Sequence, residues 1–207
     1  MKTVPHPQSA RDTKLFNDRH PFTPAHDVRV VIDAFNRYST SGAILEIGCN
    51  LGWTTRELAL AFPNSVIYAV DWPPAGLTMS QHQRGEAPSW EKSCEAARDL
   101  PNVVPIVADS RKLRADMFRD VTCVFIDGDH SYEGVKSDTI LAMRLMAELD
   151  DSQKGVVAWH DCYENAPAWV GVRKYLENDE AGPRPVQVAD SWVAVLAPEL
   201  SAEFFAR

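Results

Sequence analysis

Short apolar runs rich in valine and isoleucine recur along the chain at AILEIG (43–48), VIYAVD (66–71), VVPIVAD (103–109), VTCVFID (121–127) and GVVAWHD (155–161). Both of their faces are apolar, so each run predicts a strand of a parallel sheet covered by helices on either side. Longer stretches with helical spacing separate them. These are DVRVVIDAFNRYS (27–39) ahead of the first run, WTTRELALAF (53–62) stopped by Pro63-Asn64, WEKSCEAARDL (90–100) stopped by Pro101, and SYEGVKSDTILAMRLMAEL (131–149). Strands and helices in alternation predict right-handed crossovers and a doubly wound α/β sheet. After the fifth run, ENAPAWVGVRKYLEN (164–178) offers Asn165 as an N-cap and Pro167 in the first turn, with Trp169, Val172 and Leu176 on one face. The last pattern, PVQVADSWVAVLA (185–197), alternates at Val186, Val188, Trp192 and Val195 around Ala-Asp-Ser, and predicts a closing hairpin. The expected architecture is a mostly parallel seven-stranded sheet with a C-terminal antiparallel hairpin.

Composition adds boundaries. The 207 residues, 45% hydrophobic and 24% charged, suit one globular domain, with a leader and helix over 1–40 and the core over 43–196. A formal net charge of −8 and scattered Lys and Arg residues argue against a nucleic-acid partner. No segment approaches the ~20 apolar residues of a membrane span, and the polar start lacks a signal-peptide core, so a cytoplasmic location without a membrane partner is the default expectation. Cys49, Cys94, Cys123 and Cys162 form no CxxC pair, and reduced thiols are expected. The Pro- and Gly-rich stretch 72–89 reads as a long loop at the carboxyl end of the second strand, either a binding loop or an insertion without a role.

Candidate chemistry sits at the strand ends. Each of the five runs ends at or near an acidic residue, namely Glu46, Asp71, Asp109, Asp127 and Asp161. In an open parallel sheet the ligand crevice lies beyond these carboxyl ends, where such side chains converge. The first turn, EIGCNLGWTT, spaces Gly48 and Gly52 as GxxxG, one for a tight turn beside a ligand and one for close helix approach. No Lys follows Gly52, which excludes a phosphate-gripping loop of the GxxxxGK[ST] type. Asp71 suits two ribose hydroxyls, and Asp109 with Ser110 suits an exocyclic adenine amine. The segment VFIDGDHSYEGV adds Asp129 and His130 beside Asp127, and His160 precedes Asp161.

The motifs ILEIGCNLGWTT, YAVD, VADS and FIDGDHSYEGVKSD stand in the order found in class I S-adenosylmethionine-dependent methyltransferases, which the chain resembles from about Ala43 to Val195. FIDGDHSYEGVKSD is similar to the branch holding sugar and macrolide O-methyltransferases and cephalosporin-hydroxylase-like proteins. The resemblance implies a Rossmann-like fold with S-adenosylmethionine over Gly48 and Gly52, the methionine end near Glu46 and the turn Asn50 to Trp53, the ribose on Asp71, and adenine near Asp109. Trp53 and Trp72 are candidates to stack on adenine or to shape the acceptor pocket, whereas Trp159 suits the core. The resemblance further implies Asp127 and Asp161 as ligands of a divalent ion, usually Mg2+, and Asp129 as a base. The chain departs from the metal-dependent pattern where His160 and Cys162, not an oxygen donor, flank Asp161; in an extended strand His160 and Asp161 would also face opposite ways.

The expected function is O-methylation of a small hydroxylated acceptor with Mg2+ as the candidate ion, in a chain for which a homodimer is an option. Two alternatives stay open: a metal-independent N- or O-methyltransferase using Asp129 or His130 as base, and a non-catalytic S-adenosylmethionine-binding protein; His160 is a further catalytic candidate, or a hydrogen-bonded histidine at the edge of the sheet.

Overall fold

The computed structural model describes residues 1–5, 23–39, 41–72, 93–150, 152–178 and 184–197. Among the described residues eight strands form one sheet: β1 (Thr3–Val4), β2 (Ala43–Ile47), β3 (Ile67–Asp71), β4 (Val103–Val107), β5 (Val121–Ile126), β6 (Val156–Trp159), β7 (Val186–Val188) and β8 (Ala194–Leu196). Their order is β1-β7-β8-β6-β5-β2-β3-β4. The five apolar runs are β2 to β6, all paired in parallel. β8 runs antiparallel to both β6 and β7, as the closing hairpin requires. The eighth strand was not anticipated: Thr3 and Val4 pair in parallel with β7 from within a leader that carries no strand pattern.

Alternation along the strands divides the core between the two faces of the sheet. Leu45, Ile47, Val124, Ile126, Val157 and Trp159 pack with Val135, Leu141 and Leu145 of α3 (Tyr132–Ala147) and with Val172, Tyr175 and Leu176 of α4 (Val172–Leu176). Ile44, Cys123, Phe125, Val156 and Ala158 face the other way, onto Val28, Val31, Ile32 and Phe35 of α1 (Ala25–Tyr38) and Leu58 of α2 (Trp53–Ala61). Trp159 is fully buried, and its indole N–H donates to Thr139 Oγ1 at 2.9 Å, so the large ring enters the core without leaving a donor unpaired. All four cysteines are free and buried. Among the described residues no helix is long and apolar enough to cross a membrane.

Local signals explain where the helices begin. Ser131 caps α3 by accepting the Gly134 amide at 3.1 Å, with Glu133 in the first turn. Two expected helices are much shorter than their patterns. In 90–100 the described part holds only a 3-10 turn, Glu95–Ala97, because Cys94 adopts a φ of 57° and gives its amide to Asn50 O, which ties the segment to the β2 turn. In 164–178 the helix starts at Val172, not after Asn165. The Gly171 amide is captured by His130 O at 2.6 Å, and a Cβ there would lie 2.3 Å from Tyr132 N, so the chain docks on the β5–α3 turn before it can coil. Trp169 and Trp192, expected on apolar faces, are 49% and 43% exposed. The 72–89 loop lies outside the described residues beyond Trp72.

The β2 strand lies between β3 and β5, so the chain winds outward to β4 and then returns to the other side of β2. That reversal opens a crevice at the carboxyl ends of β2 and β5. Thr139→Val keeps the volume of the side chain but strands the Trp159 indole N–H. It is expected to lower the free energy of unfolding in urea by about 1–3 kcal/mol.

Candidate functional site

At the end of β2 the backbone turns through Gly48 with a φ of 96°, and a Cβ there would lie 2.2 Å from the carbonyl oxygen of Asp127. Only glycine lets the first turn press on the end of β5 in this way. Gly52, with a φ of 82°, begins α2, and its Cα side abuts the Cys94 backbone. Between them Asn50 takes a φ of 48°, a left-handed conformation that asparagine tolerates.

Three buried acceptor oxygens at this turn have no hydrogen-bond donor among the described residues: Glu46 Oε1, Asn50 Oδ1 and Asp71 Oδ2. Glu46 is fully buried, takes the Thr55 hydroxyl on Oε2, and is pushed well above the usual carboxylate range by burial. Asp71 Oδ1 accepts the Trp72 amide at 2.8 Å, and burial pushes the carboxyl up to about 6. Unpaired buried acceptors are costly, and a ligand rich in N–H and O–H groups would satisfy them. Trp53 opens α2 beside this turn, and Trp72 is 45% exposed with Lys112 Nζ 5.3 Å from its ring centroid.

Asp109 reaches the same edge but is already engaged. Arg111 forks its carboxylate with Nε at 2.8 Å and Nη2 at 3.0 Å, and its amide is capped by Oδ1 as the turn Ser110–Lys112 begins. Both oxygens expected to be open to an adenine amine therefore carry an internal partner. Asp138 was not foreseen, because within KSDTI it looks like an ordinary polar helix residue. It is buried on α3, with Oδ2 against Gly128, and burial pushes it up to about 6.

The second half of the site is a carboxylate and imidazole cluster at the ends of β5 and β6. His130 Nδ1 lies 3.2 Å from Asp161 Oδ2. His160 Nδ1 lies 3.1 Å from Asp127 Oδ1 and 3.5 Å from Asp161 Oδ1, and its Nε2 lies 3.1 Å from Asp27 Oδ2. The expectation that His160 and Asp161 diverge is corrected here. The strand ends at Trp159, and Asp161 takes a φ of 56°, which brings its carboxylate round to the side of His160.

His160 is 4% exposed. Burial by itself would lower its pKa, but the surrounding carboxylates, Asp127 foremost, override this and raise it to about 10. An imidazole donating from both nitrogens has no lone pair with which to take a proton, so the expectation of His160 as a catalytic base is also corrected. Burial likewise works against ionised Asp127, yet His160, His130 and the Thr23 hydroxyl together bring that carboxyl below its ordinary range. Asp161 is raised, chiefly by burial.

Asp129, proposed as a base on resemblance, is exposed, and its Oδ1 accepts the Ser131 amide at 2.9 Å; a side chain at Gly134 would collide with its carboxyl. Its place is at the start of α3. The ligand atoms of Asp127, His130 and Asp161 lie within 4.8 Å of one another, so His130 joins the two aspartates expected to face a metal. Their two oxygens and one nitrogen fit a divalent cation. The nitrogen suits ions such as Mn2+ or Fe2+ at least as well as Mg2+.

The unpaired Asp71 oxygen also fixes a sign. The unfolded carboxyl ionises near 3.8, whereas the folded one stays protonated to about 6, so ionisation favours the unfolded chain increasingly across that interval. Asp71→Asn removes this penalty. It is expected to stabilise the ligand-free protein at neutral pH by up to about 3 kcal/mol and to leave it unchanged below pH 4, read by denaturation at the two pH values.

Residues 45–162 match the family model described as a methyltransferase domain. A search of curated protein sequences finds no match. Among solved structures the fold is similar to that of a Staphylococcus aureus protein assigned as a caffeoyl-CoA O-methyltransferase, with a TM-score of 0.58 at 13% identity over 86% of this chain and 84% of that one. It is also similar to an SAH-bound methyltransferase of Podospora anserina, with a TM-score of 0.56 at 14% identity over 87% and 81% of the two chains.

Proposed function

The chain belongs to the methyltransferase-domain family, and from that membership we propose that it moves the methyl group of S-adenosylmethionine to a hydroxyl of a small acceptor. The observation that carries the cofactor reading is the trio of buried acceptors Glu46 Oε1, Asn50 Oδ1 and Asp71 Oδ2 at the glycine turn, unpaired among the described residues. A ribose presents two hydroxyl donors to Asp71, and the ammonium of the methionine end has donors for Glu46 and Asn50. Gly48 and Gly52 let that turn close against the end of β5 and the Cys94 backbone, where side chains would collide. Trp53 and Trp72 would border the cofactor, and Ser110 would face the adenine.

Methyl transfer is an in-line displacement at a carbon already activated by the sulfonium. The protein's tasks are therefore to align donor and acceptor, exclude water and accept the hydroxyl proton. Trp169 beside His130 and Trp192 beside His160 give exposed aromatic walls on either side of the carboxylate cluster. These walls suit a small acceptor that carries a ring. Asp127, His130 and Asp161 are the residues that would hold a divalent ion, Mg2+ by family analogy, and such an ion would lower the pKa of a coordinated acceptor hydroxyl. In the absence of an ion, the contact between His130 Nδ1 and Asp161 supports a second reading. Asp161 would orient the ring, and Nε2 would take the acceptor proton directly.

Calorimetry with S-adenosylhomocysteine is expected to show binding, with Asp71→Ala weakening it at least tenfold; equal affinity in the two proteins would remove Asp71 from the cofactor site. Turnover on a panel of catechols and monosaccharides is expected to stop with EDTA and to return with Mg2+ or Mn2+. Turnover indifferent to EDTA would eliminate the metal route and favour the His130 dyad, in which case His130→Ala should cost about 100-fold in kcat.

A further inference from the structure

Thr23 and Asp27 lie ahead of residues 45–162, the segment that matches the family, yet Thr23 reaches Asp127 at the end of β5 and Asp27 reaches His160 at the end of β6. Thr23 Oγ1 donates to Asp127 Oδ2 at 3.2 Å. Asp27, in the first turn of α1, holds Nε2 of His160 at 3.1 Å through Oδ2, while its Oδ1 accepts the Trp192 amide at 3.3 Å. On the other side of the ring, Nδ1 holds Asp127 Oδ1 at 3.1 Å. Each oxygen of Asp127 is thus fixed from the leader side, Oδ2 directly and Oδ1 through an imidazole. Thr23, Asp27 and His160 are all buried. A buried ring with a carboxylate on each nitrogen cannot swing without leaving a charged partner unpaired, and charge-assisted hydrogen bonds are directional.

We propose that Asp27 is a positioning residue for methyl transfer: acting through His160, and with Thr23 alongside, it sets the orientation of the Asp127 carboxylate at the mouth of the crevice. This rests on the reading of Asp127 as an active-site carboxylate. The anchor is held in turn by the Trp192 amide, so α1, the β6 end and the closing hairpin are joined in one chain of contacts that ends on Asp127, just past β5. A buried ion pair that serves only the fold is often replaceable by well-packed apolar residues without loss of stability. A chain of three groups that ends on an active-site oxygen is suited instead to fixing geometry, and groups behind metal-facing ligands commonly change metal affinity 10- to 100-fold when removed.

Protein labelled with 15N-histidine is expected to show one ring whose two nitrogens are both held in hydrogen bonds, the pair of signals lost in His160→Gln. On the ring, Asp27→Asn touches only Nε2, yet it should also move the Nδ1 signal, which faces Asp127. An unmoved Nδ1 signal overturns the proposal. If Asp27→Asn does not fold, Asp27→Glu, which keeps the charge and changes the reach, is read in the same way. With Mn2+ as the probe, followed by electron paramagnetic resonance, Asp27→Asn should bind at least tenfold more weakly than the parent, with S-adenosylhomocysteine affinity within twofold. Equal Mn2+ affinity in parent and variant also overturns the proposal. A parent that holds no Mn2+ sinks the metal route instead, and the ring signals alone then decide the role of Asp27.

Discussion

The close approach of the Gly48 turn to the Asp127 carbonyl is the constraint on which the site depends. β2 and β5 are neighbours buried on both faces, so their carboxyl ends emerge side by side, and a side chain at Gly48 would force them apart. Everything around the crevice is placed relative to that contact. Glu46 and Asn50 belong to one wall, Asp127 and the start of α3 to the other, and Gly128 keeps the second wall thin where Asp138 passes beneath it. Fold and site therefore share one steric requirement, which a larger residue at a single position would break.

Electrostatics divides the crevice into two regions of opposite character. On the β2–β3 side, carboxyls are buried without cationic partners among the described residues and hold their protons more tightly than usual. On the β5–β6 side, two imidazoles lie among three carboxylates, and the charges are largely satisfied within the protein. Burying such a cluster gains little net stability over apolar packing, because desolvation offsets the attraction. What it supplies is direction, since both nitrogens of the buried His160 ring are held by carboxylate oxygens.

Much of this was legible in the sequence. The five apolar runs became five parallel strands because strands covered on both faces leave an unmistakable continuous pattern. Asp71, Asp127 and Asp161 came to the carboxyl ends of their strands because sheet topology, not local detail, puts them there. Local conformation was harder to foresee. Cys94 and Asp161 adopt positive φ without being glycine, one ending a helix pattern early and the other turning a carboxylate toward His160. Asp27 was invisible for another reason: its partner is 133 residues away, and an aspartate in the first turn of a helix reads as an ordinary complement to the helix dipole. Asp109 illustrates the converse, a residue whose position was foreseen but whose carboxylate is occupied by a neighbour two residues on.

The four buried thiols carry a practical consequence. Cys123, in the middle of β5, and Cys162, beside the carboxylate cluster, are both pushed up to about 12 by burial. At pH 7 only about one molecule in 10^5 of either would be a thiolate, so neither reacts appreciably while covered. Alkylation must wait for the covering element to lift, and its rate counts those excursions. Cys123 would time the opening of the sheet itself and Cys162 the loosening of the turn after β6, giving the chain two internal clocks on the structures that frame its crevice.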